Sequence, residues 1–461
     1  MGLFDALTAA VSGLQAQAFA MQNISGNIAN SQTIAYKGID TSFMDLIDGN
    51  GLASQQVAGG VTPSSIATNT VQGAIQAASS GTDMAINGDG YFSVQAPIGF
   101  TGNVPIFGAN NSYTRRGDFQ LNASGYLVNA AGYYLEGIPI DSTTGAASGN
   151  VSAPLQFQNN FLPASATTTI NYGINLPTTP ATAAFSASVP NSEILHPADF
   201  TAGHDPTVGG TGKVIGADAT TFIKESVDGG TVTTYDTNGT PANLELRWAK
   251  TDSIANGGTA DTWELFYQVS STAVGTNVAW QNAGTDFIFN AAGQLTPAVG
   301  NIPLTGVTIN GVSLGNLSLV TQSGGITQFA TASGQTTVNV MQQNGYAAGS
   351  LQTIAVGNNG VITGTFSNGQ NVSLAEIPLV HFNSPDSLKS LSGGAYEVTD
   401  DSGPALAGAS GQIVGQSLEG SNTDIATEFT KLIVTQQAYS ANTKVITTTN
   451  EMSQDLLNVI R

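Results

Sequence analysis

Residues 3–28 read LFDALTAAVSGLQAQAFAMQNISGNI, and the reading of this stretch decides the architecture. Leu3, Leu7, Ala10, Leu14, Met21, Ile24 and Ile28 recur at alternating steps of four and three, with Gln17 alone out of register, so an apolar stripe runs along a predicted helix. Gly13 and Gly26 each cost roughly 1 kcal/mol of helix propensity relative to Ala, so this helix needs a packing partner to persist. Residues 6–36 carry no charge, yet no basic region precedes them, and Gln15, Gln17, Gln22, Asn23, Asn27 and Asn30 interrupt the apolar run. Neither a secretory signal nor membrane insertion is therefore expected.

The opposite end offers the partner. Ser421 and Asp424 form a potential capping box, after which Ile425, Phe429, Leu432, Tyr439, Ile446, Leu457 and Ile460 hold a 3.5-residue register. Gln436, Thr443, Asn450 and Ser453 weaken that seam. At about 1.5 Å per residue the helix reaches on the order of 50 Å. Pattern alone leaves open two core helices of one globular domain, an autonomous hairpin, or helices that find their partners in an assembly.

Between the ends, helical periodicity gives way to short strands punctuated by turns, such as Tyr91-Phe92-Ser93-Val94, Gly125-Tyr126-Leu127-Val128 and Phe287-Ile288-Phe289. The expected fold is mainly β, with paired, coiled-coil-like terminal α-helices and two or more β-domains, the outer one inserted in the inner one. Residues 1–30 and 421–461 form the terminal helical core, 31–80 an extended connector, 81–155 and 346–420 the inner β-domain, and 156–345 the inserted outer β-domain. The Thr/Ala/Pro-rich stretch Pro163–Pro190 and the Gly-rich stretch Gly324–Gly349 mark the limits of the insertion.

Composition narrows the function. The 461 residues include 55 Gly and only 9% charged side chains, and the net charge is −20 with 11 Lys and Arg in all. That excludes a nucleic-acid partner, because phosphate neutralisation needs clustered cations. The charge divides as −3 over residues 1–80, −1 over 421–461 and −16 between, so copies packed through their ends repel one another little. With no Cys, no disulfide or thiolate site exists.

The chemistry-bearing candidates are weak, and no catalytic, cofactor or metal residue is assigned. His196, Asp199, His204 and Asp205 lie close in sequence but in a Pro/Gly loop, and read as a solvated acidic loop rather than a metal site. His381 sits in an apolar run. Asn87-Gly88-Asp89-Gly90 lacks the further carboxylates of a calcium loop and reads as a tight hairpin. Gly210, Gly212 and Lys213 miss the phosphate-loop spacing, with Val214 where Ser or Thr is needed. No enzyme is expected.

Residues 25–37, Ser-Gly-Asn-Ile-Ala-Asn-Ser-Gln-Thr-Ile-Ala-Tyr-Lys, resemble the signature that closes the N-terminal helix of the rod and hook proteins of the bacterial flagellum, through Asn27, Ala29, Asn30, Thr33, Tyr36 and Lys37. Ala35 stands where that family commonly has Gly. Three further blocks are similar to family motifs and follow in the same order: Ile86 to Phe92, Tyr113 to Phe119, and Leu418 to Asp424 continued by Glu428 to Ile433 and Tyr439 to Ile446. Rod members of the family lack a large central insertion, and Thr234 to Gly239, Leu246-Arg247-Trp248 and Phe289 to Leu295 resemble the outer domain of the hook.

The resemblance implies a structural hook subunit that polymerises with itself into a flexible tube, a universal joint passing motor torque to the filament. It implies export without a cleaved signal through the flagellar type III apparatus to an extracellular position on the basal body. The implied neighbours are the distal rod protein, the hook cap and the hook–filament junction protein. A distal rod or other axial component is the alternative; a secreted adhesin or enzyme is the remote one.

Overall fold

The structure, a computed structural model, describes residues 3–48, 57–102, 104–141, 144–157, 161–208, 212–322 and 324–459. Helix α1 spans Leu3–Ala29, the short helix α2 Ala219–Lys224 and helix α3 Ile425–Val459; most other regular structure is strand, so the chain is mainly β. It divides into two compact units, Met1–Asn160 with Leu351–Arg461, and Phe161–Ser350.

In the first unit α1 packs along α3. The buried face of α1 comprises Ala10, Gly13, Ala16, Ala20, Ile24 and Asn27, spaced by threes and fours. These side chains are mostly small, so the backbones approach closely: a Cβ on Gly13 would lie 2.8 Å from Asn442 Nδ2. At its start, α3 is capped by Asp424, whose Oδ1 accepts the Thr427 N–H at 2.7 Å, while Ser421 Oγ pairs with Thr423 rather than completing a capping box.

Two strands, β1 (Ile39–Asp48) and β2 (Val57–Ala67), pair antiparallel and lie on α1. Val61 N–H donates to Ser12 Oγ at 3.2 Å and Asn23 Nδ2 to Thr41 Oγ1 at 2.9 Å. The segment 31–80, read from sequence as an extended connector, thus carries a paired hairpin. Its strands show little alternation because one ribbon face meets a helix at Ser and Gly positions while Phe43, Met44, Leu46 and Ile66 stay exposed.

The main sheet of this unit runs, neighbour to neighbour, Gly349–Val356, Val361–Phe366, Asn371–Glu376, Tyr134–Pro139, Tyr91–Gln95, Ser112–Thr114, Ala395–Glu397 and Lys389–Ser390. Chain from before residue 160 and chain from after 350 interleave in it, as where Ile138 faces Glu376 and Phe92 faces Leu379. The turn at Asn87–Gly90 has Gly88 at φ 94° and Gly90 at φ 141°. It does not close the hairpin read from sequence: Met84–Asn87 pairs with Gln412–Gly415, whereas Tyr91–Gln95 joins the main sheet. The glycines let the chain turn away, and each strand finds a partner far along the sequence.

The second unit holds two five-stranded sheets. One runs Lys213–Ile215, Val278–Phe289, Asp261–Gln268, Pro241–Asp252 and Val227–Tyr235; the other is built around Thr169–Leu176. They share a core containing Trp248, Trp263, Phe287, Leu304 and Leu319. Within it Trp248 Nε1 donates to Tyr172 Oη at 2.9 Å and Tyr172 donates to Gly229 O at 2.7 Å. Phe222 of α2 covers the opposite sheet face beside Phe266 and Trp280.

Among the buried carboxyls of that unit, Glu264 is strongly shifted. Burial pushes Glu264 up to about 8, the nearby Asp286 adds to the rise, and the Asn282 amide, which donates to Oε2 at 2.8 Å, opposes it. The unfolded chain releases this proton near 4.5 and the folded chain holds it to about 8. Stability therefore falls as pH rises through that window, and the penalty is complete above it. Glu264→Gln keeps the acceptor for Asn282 and removes the charge. The thermal midpoint of the unit should fall from pH 5 to pH 8 more steeply in the unmodified chain than in this variant, by on the order of 3 kcal/mol in stability. Parallel pH profiles for the two would refute the assignment.

Candidate functional site

Helix α1 ends in a polar hub. Asn27, 2% exposed, donates through Nδ2 to Ile39 O at 3.0 Å and to Glu428 Oε2 at 3.1 Å. Its Oδ1 accepts the Ile39 N–H at 2.9 Å and the Tyr36 hydroxyl at 3.3 Å. One amide thereby joins α1 to β1, to the turn that follows α1, and to the first turn of α3. Glu428 also accepts from Lys431, which reaches Asp40 at 2.8 Å.

The other motif residues shape the turn. Asn30 Nδ2 donates to Gly26 O, and Thr33 Oγ1 to Asn30 Oδ1. Ala29 is exposed at the helix end. Ala35 has φ 55°, the left-handed region, and its N–H donates to Glu419 O at 2.8 Å. A glycine would adopt this backbone without strain. Ala, with one methyl, is the next smallest side chain to place there.

That turn delivers Lys37 to Glu419. Both are buried: Lys37 Nζ lies 2.5 Å from Glu419 Oε1 and donates to Val71 O at 2.7 Å. Gly73 N–H donates to the same Oε1 at 2.9 Å, and Arg115 Nη1 stands 3.6 Å from Oε2. Arg115 in turn lies over the Tyr91 ring, 5.3 Å from its centroid, and Tyr91 packs edge-on against Phe382 and Tyr396. Burial pushes the Tyr91 hydroxyl up to about 12. Burial also lowers Lys37, outweighing the attraction of Glu419. The charged lysine is therefore held at a net cost, and the cluster specifies position more than it adds stability.

All four motif blocks meet here: Lys37, Tyr91, Arg115 and Glu419. Sequence reading quoted the stretch containing Glu419 without assigning it a role. A lone carboxylate in a strand-like phrase looks like surface until its partners are known.

The helices distribute the remaining residues unevenly. On α1, Ile24 is buried and Leu7, Leu14, Met21 and Ile28 are half-buried; the side chains of Leu3 and Leu457 lie outside the described residues. On α3 the covered face is Glu428, Leu432, Thr435, Ala438, Asn442, Ile446 and Thr449, mostly polar or small. Ile425, Phe429 and Tyr439 are exposed, as are Ile433, Val434, Val445 and Met452, which the seven-residue register did not single out. A heptad predicts a stripe, whereas α3 carries apolar side chains on several sides.

The loop candidates make local contacts. His196 N–H donates to Glu225 Oε2 at 3.1 Å, and Asp205 Oδ1 accepts from Thr207. No group of three or more His, Asp and Glu able to hold a metal occurs among the described residues.

Three family models match the chain: the flagellar basal body rod FlgEFG protein C-terminal region over residues 414–459, the flagellar hook protein FlgE/F/G D1 domain over 85–189, and the flagellar basal body protein FlaE D2 domain over 217–346. The flagellar hook protein FlgE of Brucella melitensis is 31% identical over 470 residues, covering 100% of both chains. That of Salmonella typhimurium is 29% identical over 98% of each. The crystal structure of Helicobacter pylori flagellar hook protein FlgE2 aligns at a TM-score of 0.47 and 16% identity, over 74% of this chain and 99% of that one.

Glu419 serves two buried cations, so Glu419→Gln should destabilise the first unit by about 3–5 kcal/mol, read by thermal denaturation; a loss under about 1 kcal/mol would remove the cluster from its central place. At residue 35 two effects oppose one another. Ala35→Gly relieves left-handed strain but loses a buried methyl worth about 0.8 kcal/mol and loosens the unfolded chain, so it should be near neutral. Ala35→Val, β-branched in the same conformation, should lose more than about 2 kcal/mol.

Proposed function

Because this chain belongs to the family of bacterial flagellar hook proteins and is a structural subunit of the hook, we propose that it polymerises through its terminal helices, which its own fold leaves partly uncovered. The observation that carries this reading is the outward face of α3: Phe429 is 50% exposed, Ile433 54%, Val434 60% and Met452 57%. A lone soluble helix places such residues inward. On this reading α1 and α3 form the inner tube, and Leu3, Leu7, Leu14, Met21, Ile28, Ile425, Phe429, Leu432, Tyr439, Ile446 and Leu457 contribute to seams within and between copies.

The remaining organisation follows from the same premise. The hairpin β1–β2 joins the helices to the inner β-domain, and Phe161–Ser350 is the outer domain, inserted between strands of one sheet. The hook bends while it turns, so contacts outside the helical core must yield without breaking the tube. A Cys-free chain with weakly helical ends suits threading, unfolded, through the flagellar type III export apparatus to the extracellular hook. The neighbours along the axis are the distal rod protein, the hook cap and the hook–filament junction protein. No described helix is long and apolar enough to cross a membrane, and the family is a structural one rather than one of enzymes.

Ile433→Asp tests the helical seam, because the side chain is exposed in the single chain. The thermal midpoint should stay within about 0.5 kcal/mol of the unmodified protein while sedimentation and electron microscopy show no polymer. Hooks of normal form built from this variant would sink the proposal. Removing residues 161–350 should leave a tube of changed curvature; unchanged curvature and swimming would deny that unit a part in the joint.

A further inference from the structure

An exposed hairpin interrupts the inner β-domain between the motif blocks at Tyr91 and Arg115. Strands Pro97–Thr101 and Val104–Phe107 pair only with each other, a two-stranded ribbon with neither outer edge covered among the described residues. Its root is anchored. Phe107 packs edge-on against Tyr134 at 5.1 Å and Tyr126 at 5.9 Å; further out, Pro105, paired with Phe100, is buried.

The rest of the ribbon exposes apolar side chains. Ile98 is 72% exposed, Phe100 60%, Val104 53% and Ile106 44%. The register pairs Phe100 with Pro105, Thr101 with Val104 and Gly99 with Ile106. Paired residues share a face, so Phe100 lies on one side of the ribbon and Val104 and Ile106 on the other. A sheet with one wet face puts polar residues there. This ribbon has no such face, which is the pattern of an element that enters a slot.

Charge says whose slot it is. No residue from Gly90 to Thr114 is charged, in a chain of net charge −20 with only 11 cations. Free ribbons of this kind are ordinarily guarded by Lys, Glu or an inward charge, and none is present. A partner recognised by charge would find nothing to pair with. Two copies each at −20 repel over most of their surface and approach most favourably where neither side brings a carboxylate.

We propose that the hairpin 97–107 inserts its exposed apolar side chains, Ile98, Phe100, Val104 and Ile106, into a neighbouring copy of this chain, a copy-to-copy contact separate from the helical seam. This rests on the reading of the chain as a self-polymerising hook subunit. The contact fastens inner β-domains of adjacent copies, and its apolar, non-directional character lets the hairpin shift within the slot without a fixed hydrogen bond to break.

The test uses the full chain assembled into hooks in cells, with the photoreactive residue benzoylphenylalanine placed at Phe100 in one strain and at Ile433 in another. Illumination at position 100 should yield a ladder in multiples of the 46.9 kDa chain, with this chain on both sides of the crosslink by mass spectrometry. Adducts with a different protein, or monomer alone, would overturn the inference. The Ile433 strain separates the two levels: a ladder there with none at 100 refutes only the hairpin contact, whereas no ladder at either position refutes the hook reading itself. Ile98→Asp with Phe100→Asp gives an independent readout. Both side chains are exposed, so circular dichroism should be unchanged while the subunit concentration needed for polymerisation rises at least about tenfold; an unchanged concentration would refute the contact.

Discussion

One buried carboxylate organises the inner half of this molecule. Glu419 accepts Lys37 and the Gly73 N–H on one oxygen, faces Arg115 with the other, and lends its carbonyl to Ala35. Lys37 and Glu419 stand 382 positions apart. Closing a loop of that length costs roughly 5 kcal/mol, and the main sheet, in which three strands from before residue 160 lie between strands from the C-terminal half, offsets it. Once the sheet is closed, the ion cluster decides where α1 and α3 leave it. The lowered Lys37 shows that the cluster holds its charge against desolvation, which suits a part whose role is to set geometry.

From that anchor the helices run out with a divided character. Their mutual face is small or polar, Gly13 on Asn442 and Asn27 on Glu428, so it gains little from the hydrophobic effect. On α3 the apolar side chains of Phe429, Ile433, Val434, Val445 and Met452 are exposed, whereas Leu7, Leu14, Met21 and Ile28 of α1 are half-buried. In the single chain, hydrogen bonds at the base of the helices, Asn27 to Glu428 among them, hold the two in position.

The unit Phe161–Ser350 depends on none of this. Its two sheets enclose three tryptophans, two of them in the shared core and one under α2, and its one strongly perturbed acid, Glu264, reports on its own packing.

Local sequence pattern was enough to read the ends as helical, the middle as β, and the motif blocks as those of a flagellar axial protein. Period and turn chemistry are local, so they survive without coordinates: Leu7, Leu14, Met21 and Ile28 lie on a helix as their spacing requires, and Asp424 caps the next. Only the tertiary structure decided which face of each helix is covered, because a heptad marks apolar residues without saying which of them a chain keeps for itself. It placed Ala10, Gly13 and Ala16 inside and Phe429 and Ile433 outside. It also turned the connector into the β1–β2 hairpin, sent the strands flanking Asn87–Gly90 to distant partners, and made Glu419 the meeting point of four motifs. The hairpin rests on packing against α1, and the other outcomes on pairings between residues hundreds of positions apart; no local pattern in a chain encodes the identity of a distant partner.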